Sequence, residues 1–361
     1  MSKLLLHLVL IFVSLTCFGA PTPEEIKIHR QGAEEGNDSA QYKLGLIYYF
    51  GFGGVPEDDT EAVKWYRKAA EQGNAFAQFD LGSMFANGEG VPKDDAEAVK
   101  WFRRAAEQGH ANAQQSLGYM YANGDGVPED GTEAVKWYRK AAEQGNAEAQ
   151  SLLGLIYYIG NVVPQDYKES IKWYRKAAEQ GDSSAQLHIG GSYAQGIGVP
   201  EDGAEAFKWC RMAAEQGLYT AQHMLGSFYD NGYGTPEDDA EAAKWYRKAA
   251  EQGLEYAQYA LGLAYDNGHG VLPNNTEAVK WYRKAAEQGH PGAQCNLAVM
   301  YVRGTGVIED DVMAYMWFNL AAAKGIEQAK ENKGLVSKRM TKEQIAEAQK
   351  LSRQWLANRQ K

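Results

Sequence analysis

Residues 61–73 read EAVKWYRKAAEQG, and the same thirteen letters return at 133–145 and at 277–289. Laid on a helix at 100° per residue, Ala62, Trp65, Tyr66, Ala69 and Ala70 fall on one side. Glu61, Lys64, Lys68 and Glu71 fall on the other. That division is the pattern of an amphipathic helix. Near-copies fill the gaps between. Trp65, Trp101, Trp137, Trp173, Trp209, Trp245, Trp281 and Trp317 stand 36 residues apart at every step. A chain of 361 residues ordinarily forms two or three globular domains. A fixed period predicts instead a stack of like units, each packed on its neighbours.

A second set of columns precedes each Trp. AQYKLGLIY spans 40–48 and AQQSLGYMY spans 113–121. The shared skeleton is Ala-Gln-x-x-Leu-Gly-x-x-Tyr, whose Ala, Leu and Tyr at i, i+4 and i+8 make one helical stripe. This is helix A, and the Trp helix is helix B. Between them lie stretches such as NGEGVPKDD, where Gly88, Gly90 and Pro92 predict a loop. Asp94 and Glu97 then have capping-box spacing, repeated as Asp58/Glu61, Asp130/Glu133, Asp166/Glu169, Asp202/Glu205, Asp238/Glu241 and Asn274/Glu277. Gly73 and its equivalents end each helix B in the left-handed position. Gly82, Gly118 and the Ala-Ala pairs allow close helix approach, and the Trp column is expected to fill the core between helices.

The ends depart from the pattern. KIHRQGAEEG at 27–36 aligns with the end of helix B, with Ile28 in the Trp column. It predicts a capping half-repeat over 24–36, ahead of eight repeats over 37–325. In the eighth repeat Met313, Met316 and Leu320 replace charged residues, so something is expected to cover that face. Helices within 326–361, the last opened by Thr341 and Gln344, are the expected cap. The first residues, MSKLLLHLVLIFVSLTCFGAP, carry one early cation, an apolar run and then small residues. They predict a secretory signal peptide over 1–19, cleaved before Ala20. The apolar run is short for a membrane span, and SLTC lacks the aliphatic residue of a lipoprotein signal. No membrane span is expected after cleavage. Export permits disulfides, but Cys210 and Cys295 lie in the fifth and eighth repeats, too far apart in a stack for a bridge.

The period, the L-G-x-x-Y column and the G-x-G-V-P loop resemble the Sel-one-like repeat (SLR) family, a relative of the tetratricopeptide repeats, over roughly 300 residues. The resemblance implies an all-α, right-handed α/α superhelical solenoid of helix-turn-helix repeats. It implies a role as adaptor or scaffold. Eukaryotic relatives serve degradation complexes in the endoplasmic reticulum lumen, and bacterial relatives are often exported and linked to host interaction or envelope signalling. The signal peptide and alanine-rich helices resemble the exported bacterial type. One cysteine-rich branch is associated with penicillin binding. Its helix-linking cysteine pairs, S-x-x-K and K-T-G are all absent here, so that activity does not carry over.

Little in the sequence speaks for chemistry. A formal net charge of -10 argues against nucleic-acid partners, which need a basic surface. H-E-x-x-H, C-x-x-C, G-x-S-x-G and the Walker loop are absent. The G-x-G loops lack the strand and lysine of a phosphate loop. His188 and His223 are too few for a zinc site. No catalytic residue, metal or cofactor is expected.

A solvated helix face should be charged. Helix B obeys this rule and helix A does not. Its outer arc carries Tyr42, Leu46, Tyr49, Phe79, Tyr119, Leu155, Tyr158, His223, Tyr259 and Leu263 in columns that vary from repeat to repeat. Variable aromatics on a constant scaffold point to recognition of a protein or peptide. The expected protein is a monomeric, non-catalytic scaffold in the periplasm or secreted, gripping its partner along a concave A-helix surface. The arc is more polar toward its C-terminal half, where His223, Asp230 and Asp266 enter. A peptidoglycan- or glycan-binding module is the alternative, with an envelope hydrolase behind it.

Overall fold

The structure, a computed structural model, describes residues 21–359. The expected signal peptide and its cleavage point lie outside the described residues. Among these there are nineteen α-helices and no strand, the all-α class expected. The chain divides into two compact units, Met1–Gln180 and Gly181–Lys361. The first holds α1 (Pro23–Glu34) and four A–B pairs: α2 (Asp38–Phe50) with α3 (Asp59–Glu71), α4 (Ala75–Asn87) with α5 (Asp95–Glu107), α6 (Ala111–Asn123) with α7 (Gly131–Glu143), and α8 (Ala147–Ile159) with α9 (Tyr167–Glu179). The second holds α10 (Ser183–Gln195) with α11 (Gly203–Glu215), α12 (Tyr219–Asn231) with α13 (Asp239–Glu251), α14 (Glu255–Asn267) with α15 (Asn275–Glu287), and α16 (Pro291–Arg303) with α17 (Asp311–Ala323). It ends in α18 (Glu327–Ser337) and α19 (Lys342–Asn358). Within each unit a helix A packs on its own helix B, and that helix B packs on the next helix A.

The Leu-Gly column sets the distance within a pair. A Cβ built on Gly118 would stand 2.7 Å from the Tyr138 ring, and one on Gly262 would stand 2.6 Å from Tyr282. The tyrosine of helix B therefore lies against helix A backbone with no room for a Cβ at these positions; in the eighth repeat Ala298 stands in the column, in the cluster that holds Phe318. Tyr66, Tyr174 and Tyr282 are among the largest fully buried side chains.

The Gln column links one pair to the next. Gln114 is buried. Its Nε2 donates to the Ala106 carbonyl at the end of the preceding helix B (3.0 Å), and its Oε1 accepts from Gln144 Nε2 at the end of its own helix B (2.7 Å). Gln41, Gln78, Gln150, Gln222 and Gln258 repeat both bonds. Helix C-termini leave carbonyls that need donors, and this clasp supplies one while keeping a buried amide satisfied. In the eighth repeat Lys324 replaces the second glutamine and donates to the Gly289 carbonyl. The fully buried Gln294 Oε1 is left with no partner.

Three expectations need correction. The capping boxes of helix B form by one half only. Asp94 Oδ1 accepts from Glu97 N (3.0 Å), but Asp94 N donates to the Phe85 carbonyl on helix A (2.9 Å). That bond recurs from Asp58 to Asp310, so the N-cap N–H is already taken. Glu97 instead pairs with Lys100, and Glu169, Glu205 and Glu277 also accept from the indoles of Trp173, Trp209 and Trp281. Complete boxes occur at Thr22/Glu25 and Thr341/Gln344, which open the two end helices α1 and α19. Second, the Trp column is not uniformly core. Trp101, Trp173, Trp209, Trp281 and Trp317 are buried, but Trp65, Trp137 and Trp245 are half-buried. Over these three rings lie the ammonium groups of Lys68, Lys140 and Lys248, 3.7–4.0 Å from the centroids. Third, Ile28 stands in the Trp column yet is exposed, because α1 rests on α2 through Ile26 and Ala33.

At the C-terminal end Met316 and Leu320 are buried and Met313 is half-buried. Helix α19 packs on α17, with Trp355 edge-on to Trp317 at 6.2 Å. Cys210 and Cys295 are buried free thiols, and burial pushes the Cys210 thiol up to about 12.

Candidate interaction surface

The A helices of each unit adjoin one another through their outer columns. In the first unit Tyr42 lies 5.8 Å from Tyr66 and 6.0 Å from Phe76 on the next helix A. Phe76 meets His110 edge-on at 5.2 Å, and Phe79 stacks on the same imidazole at 4.8 Å. His110 is the N-cap of α6, where its Nδ1 accepts from Ala113 N (3.2 Å). The proton of the neutral ring therefore sits on Nε2.

The second unit repeats this arrangement 180 residues later. Tyr256 meets His290 edge-on at 5.2 Å and Tyr259 stacks on it at 4.3 Å. His223, in the Tyr42 column, lies 5.6 Å from Tyr246. His290 caps α16 through Nδ1 to Ala293 N (3.1 Å). Burial lowers the pKa of both capping histidines. Phe76 and Tyr256 are 59% and 55% exposed, so in each unit an exposed ring stands beside a half-buried aromatic–histidine stack.

The ten outer-arc residues named from sequence divide by depth. Tyr119 and Leu155 are exposed. Tyr42, Phe79, Tyr158, His223, Tyr259, Leu46 and Leu263 are half-buried, with Leu46 and Leu263 against the core. Tyr158 presents an edge to Tyr167 at 5.4 Å. Tyr49 departs from expectation, being only 8% exposed. It reaches across to donate from its hydroxyl to Glu89 Oε2 (2.9 Å) and lies 6.5 Å from the Tyr66 ring. On α4, Asp80 is driven up to about 7 by burial, with its bond from Tyr42 opposing the shift.

Charge is sorted between the helices. The A helices carry Lys43 and Arg303 as their only Lys or Arg, against Asp38, Asp80, Glu148, Asp230, Glu255 and Asp266. On helix B the lysines point outward, as in the exposed pair of Lys64 with Glu61, while the arginines reach the next helix A, as Arg103 and Arg283 donate to the Tyr121 and Tyr301 hydroxyls (2.7 and 2.9 Å).

The Sel1 repeat matches eight consecutive segments, 38–74, 75–110, 111–146, 147–182, 183–218, 220–254, 255–290 and 291–326. The chain belongs to the Sel1 repeat family. A Sel1 repeat protein from Oxalobacter formigenes is 34% identical with a TM-score of 0.64, covering 90% of this chain and 93% of that one. The Escherichia coli protein c5321, a protective antigen present in uropathogenic strains and displaying an SLR fold, is 36% identical. Its TM-score is 0.50, over 92% of this chain and 87% of that one. No curated protein matches in sequence. Sel1 repeats generally serve as protein-interaction scaffolds. Among the described residues of this Sel1 protein no group of three or more His, Cys, Asp or Glu could hold a metal ion. No described helix is long and apolar enough to cross a membrane.

Sequence reasoning missed Phe76, Tyr256, His110 and His290. The signal was present: the two aromatics stand in a column that elsewhere holds Ser, Asn, Glu, Thr or Gly, and the two histidines stand where Asn or Asp caps four other A helices.

Proposed function

We propose that this Sel1 protein is a non-catalytic scaffold that binds a protein or peptide partner along the A-helix face. The observation that carries this reading is the exposure of Phe76, Tyr119, Leu155 and Tyr256 on A helices, where folding requires no apolar group. Large rings on a rigid helical support are effective anchors, because little side-chain freedom is lost on docking. The B-helix face, with its lysine–glutamate pairs, supplies solubility. The protein acts after export, in the periplasm or outside the cell, in host contact or envelope signalling. The apolar N-terminal run and the likeness to a protective antigen support that placement.

The test is partner capture from the native compartment by full-length protein. Tyr119→Ser with Leu155→Ser is expected to weaken capture about tenfold, on the order of 1.4 kcal/mol, with helicity and melting unchanged. Lys64→Ser with Lys136→Ser on helix B is the control. Loss of capture in the control and retention in the first variant overturns the choice of face.

A further inference from the structure

The second unit contains a cavity of about 230 Å³ between α12, α13 and α14. Its lining includes Ala243 on helix B and Ala260 and Ala264 on helix A, beside Tyr246, Leu263, Asn267 and His269. Large residues stand in two of these columns in most other repeats. The Ala243 column holds Val63, Val99, Val135, Ile171, Phe207, Val279 and Tyr315, and the Ala264 column holds Met84, Met120 and Met300. The first repeats show what fits there. Tyr49 occupies the position that Asp230 holds in the sixth repeat. Its ring lies over Tyr66 and its hydroxyl reaches Glu89, the register equivalents of Tyr246 and His269. Tyr246 and His269 both line the cavity. The space crossed by a side chain in the first unit is therefore open in the second.

We propose that this cavity receives one cationic side chain, a lysine or arginine of the docked partner; this rests on the A-helix reading above. The volume lies below the roughly 300–1,000 Å³ of pockets that hold drug-sized ligands, and suits a single side chain. The alanine walls accept the methylenes of a long basic residue. Asp230 and Asp239 both line it, and no Lys or Arg does. Tyr246 donates to Asp230 Oδ2 at 3.3 Å, which orients that carboxylate. The nearby lysine of helix B, Lys244, is turned outward in its pair with Glu241. Polarity thus changes from a tyrosine that fills its own space to an acid-lined space that a cation complements.

Alanine-methyl NMR of the full chain tests this with four probes: the N-acetyl methylamides of arginine, lysine, norleucine and tyrosine. The arginine and lysine probes are expected to shift the Ala243, Ala260 and Ala264 methyls, with Kd in the millimolar range and at least about tenfold below that of norleucine. Asp230→Asn with Asp239→Asn should remove the preference. Ala264→Met installs the residue native to three sister repeats, so it should fold with unchanged or higher melting and block the shifts at Ala243 and Ala260. Equal binding of norleucine or tyrosine, a cation preference that survives Ala264→Met, or no shift with any probe each overturns the proposal. None of these outcomes touches the Tyr119 and Leu155 capture test, on which the A-helix reading stands or falls separately.

Discussion

The Gln clasp makes a quantitative prediction, because the eighth repeat supplies an internal control. Gln114→Leu removes both bonds of a satisfied clasp. Gln294→Leu removes only the donation to the Ala286 carbonyl (3.1 Å), and it deletes an Oε1 that already lacks a partner. The two substitutions bury the same new side chain in equivalent, almost fully buried positions, so the transfer term largely cancels. What remains is one hydrogen bond plus relief of one unsatisfied acceptor, about 1 kcal/mol or somewhat more. Gln114→Leu should therefore cost about 1–2 kcal/mol, and Gln294→Leu about 1 kcal/mol less. Lys324→Gln should rebuild the missing half, since Gln288 donates at once to Gln258 and to the Gly253 carbonyl. In the Lys324→Gln background, Gln294→Leu should become as costly as Gln114→Leu. Far-UV circular dichroism through a denaturant series gives global stability, and amide exchange over α16 and α17 reads local opening in a stack that need not unfold at once. A double-mutant coupling between positions 294 and 324 indistinguishable from zero would refute the clasp as a stabilising link.

Gly118→Ala drives a methyl into the Tyr138 ring and should lower stability by about 1–3 kcal/mol, read as a fall in melting temperature. Trp173→Ala, at a buried ring whose indole is bonded to Glu169, should cost about 3–5 kcal/mol; Trp137→Ala should cost distinctly less, and equal losses would contradict the half-buried placement. Deleting residues 326–361 bares Met316 and Leu320 and should cause aggregation or a clear drop in melting; a monomeric truncation with unchanged melting contradicts a capping role for α18 and α19. The capping histidines tie stability to pH. Burial lowers the folded-state pKa of His110, and does so for His290 with Lys324 adding to the effect and Glu255 opposing it. The unfolded chain, titrating near 6.5, then binds the extra proton first. Their contribution is full above that value and is lost as pH falls below it. His110→Asn with His290→Asn keeps an N-cap acceptor and should reduce the fall in melting temperature from roughly pH 7 to 5, to which His188 and His223, also lowered by burial, contribute as well; an unaltered pH profile rules out these caps as a source.

The repeat and the helix boundaries were legible because each rests on local rules. A period of 36, an Asp or Asn before each helix B and a Gly after it are written in consecutive residues. Misreadings arose where a group had two possible partners. Asp94 N had the capping-box spacing to bond Glu97, yet the Phe85 carbonyl of the adjacent helix takes it. A helical wheel likewise placed Tyr49 beside Tyr158 on one outer arc. Wheel angle does not report that Tyr49 has Tyr66 beneath it and Glu89 across from it, nor that Tyr158 lies instead against Tyr167. The aromatic–histidine stacks were readable in principle, as aromatics in a polar column, but their meeting depends on contacts between successive repeats.

By itself the sequence determined the class of fold, the number of repeats and the sorting of charge onto helix B, since periodicity and amphipathicity are properties of a single helix. Tertiary structure alone decided the depth of each outer-arc residue. Depth depends on what the neighbouring repeat places opposite, and here that neighbour varies. A tyrosine closes the space at Tyr49, while two alanines and an aspartate leave it open beside Asp230.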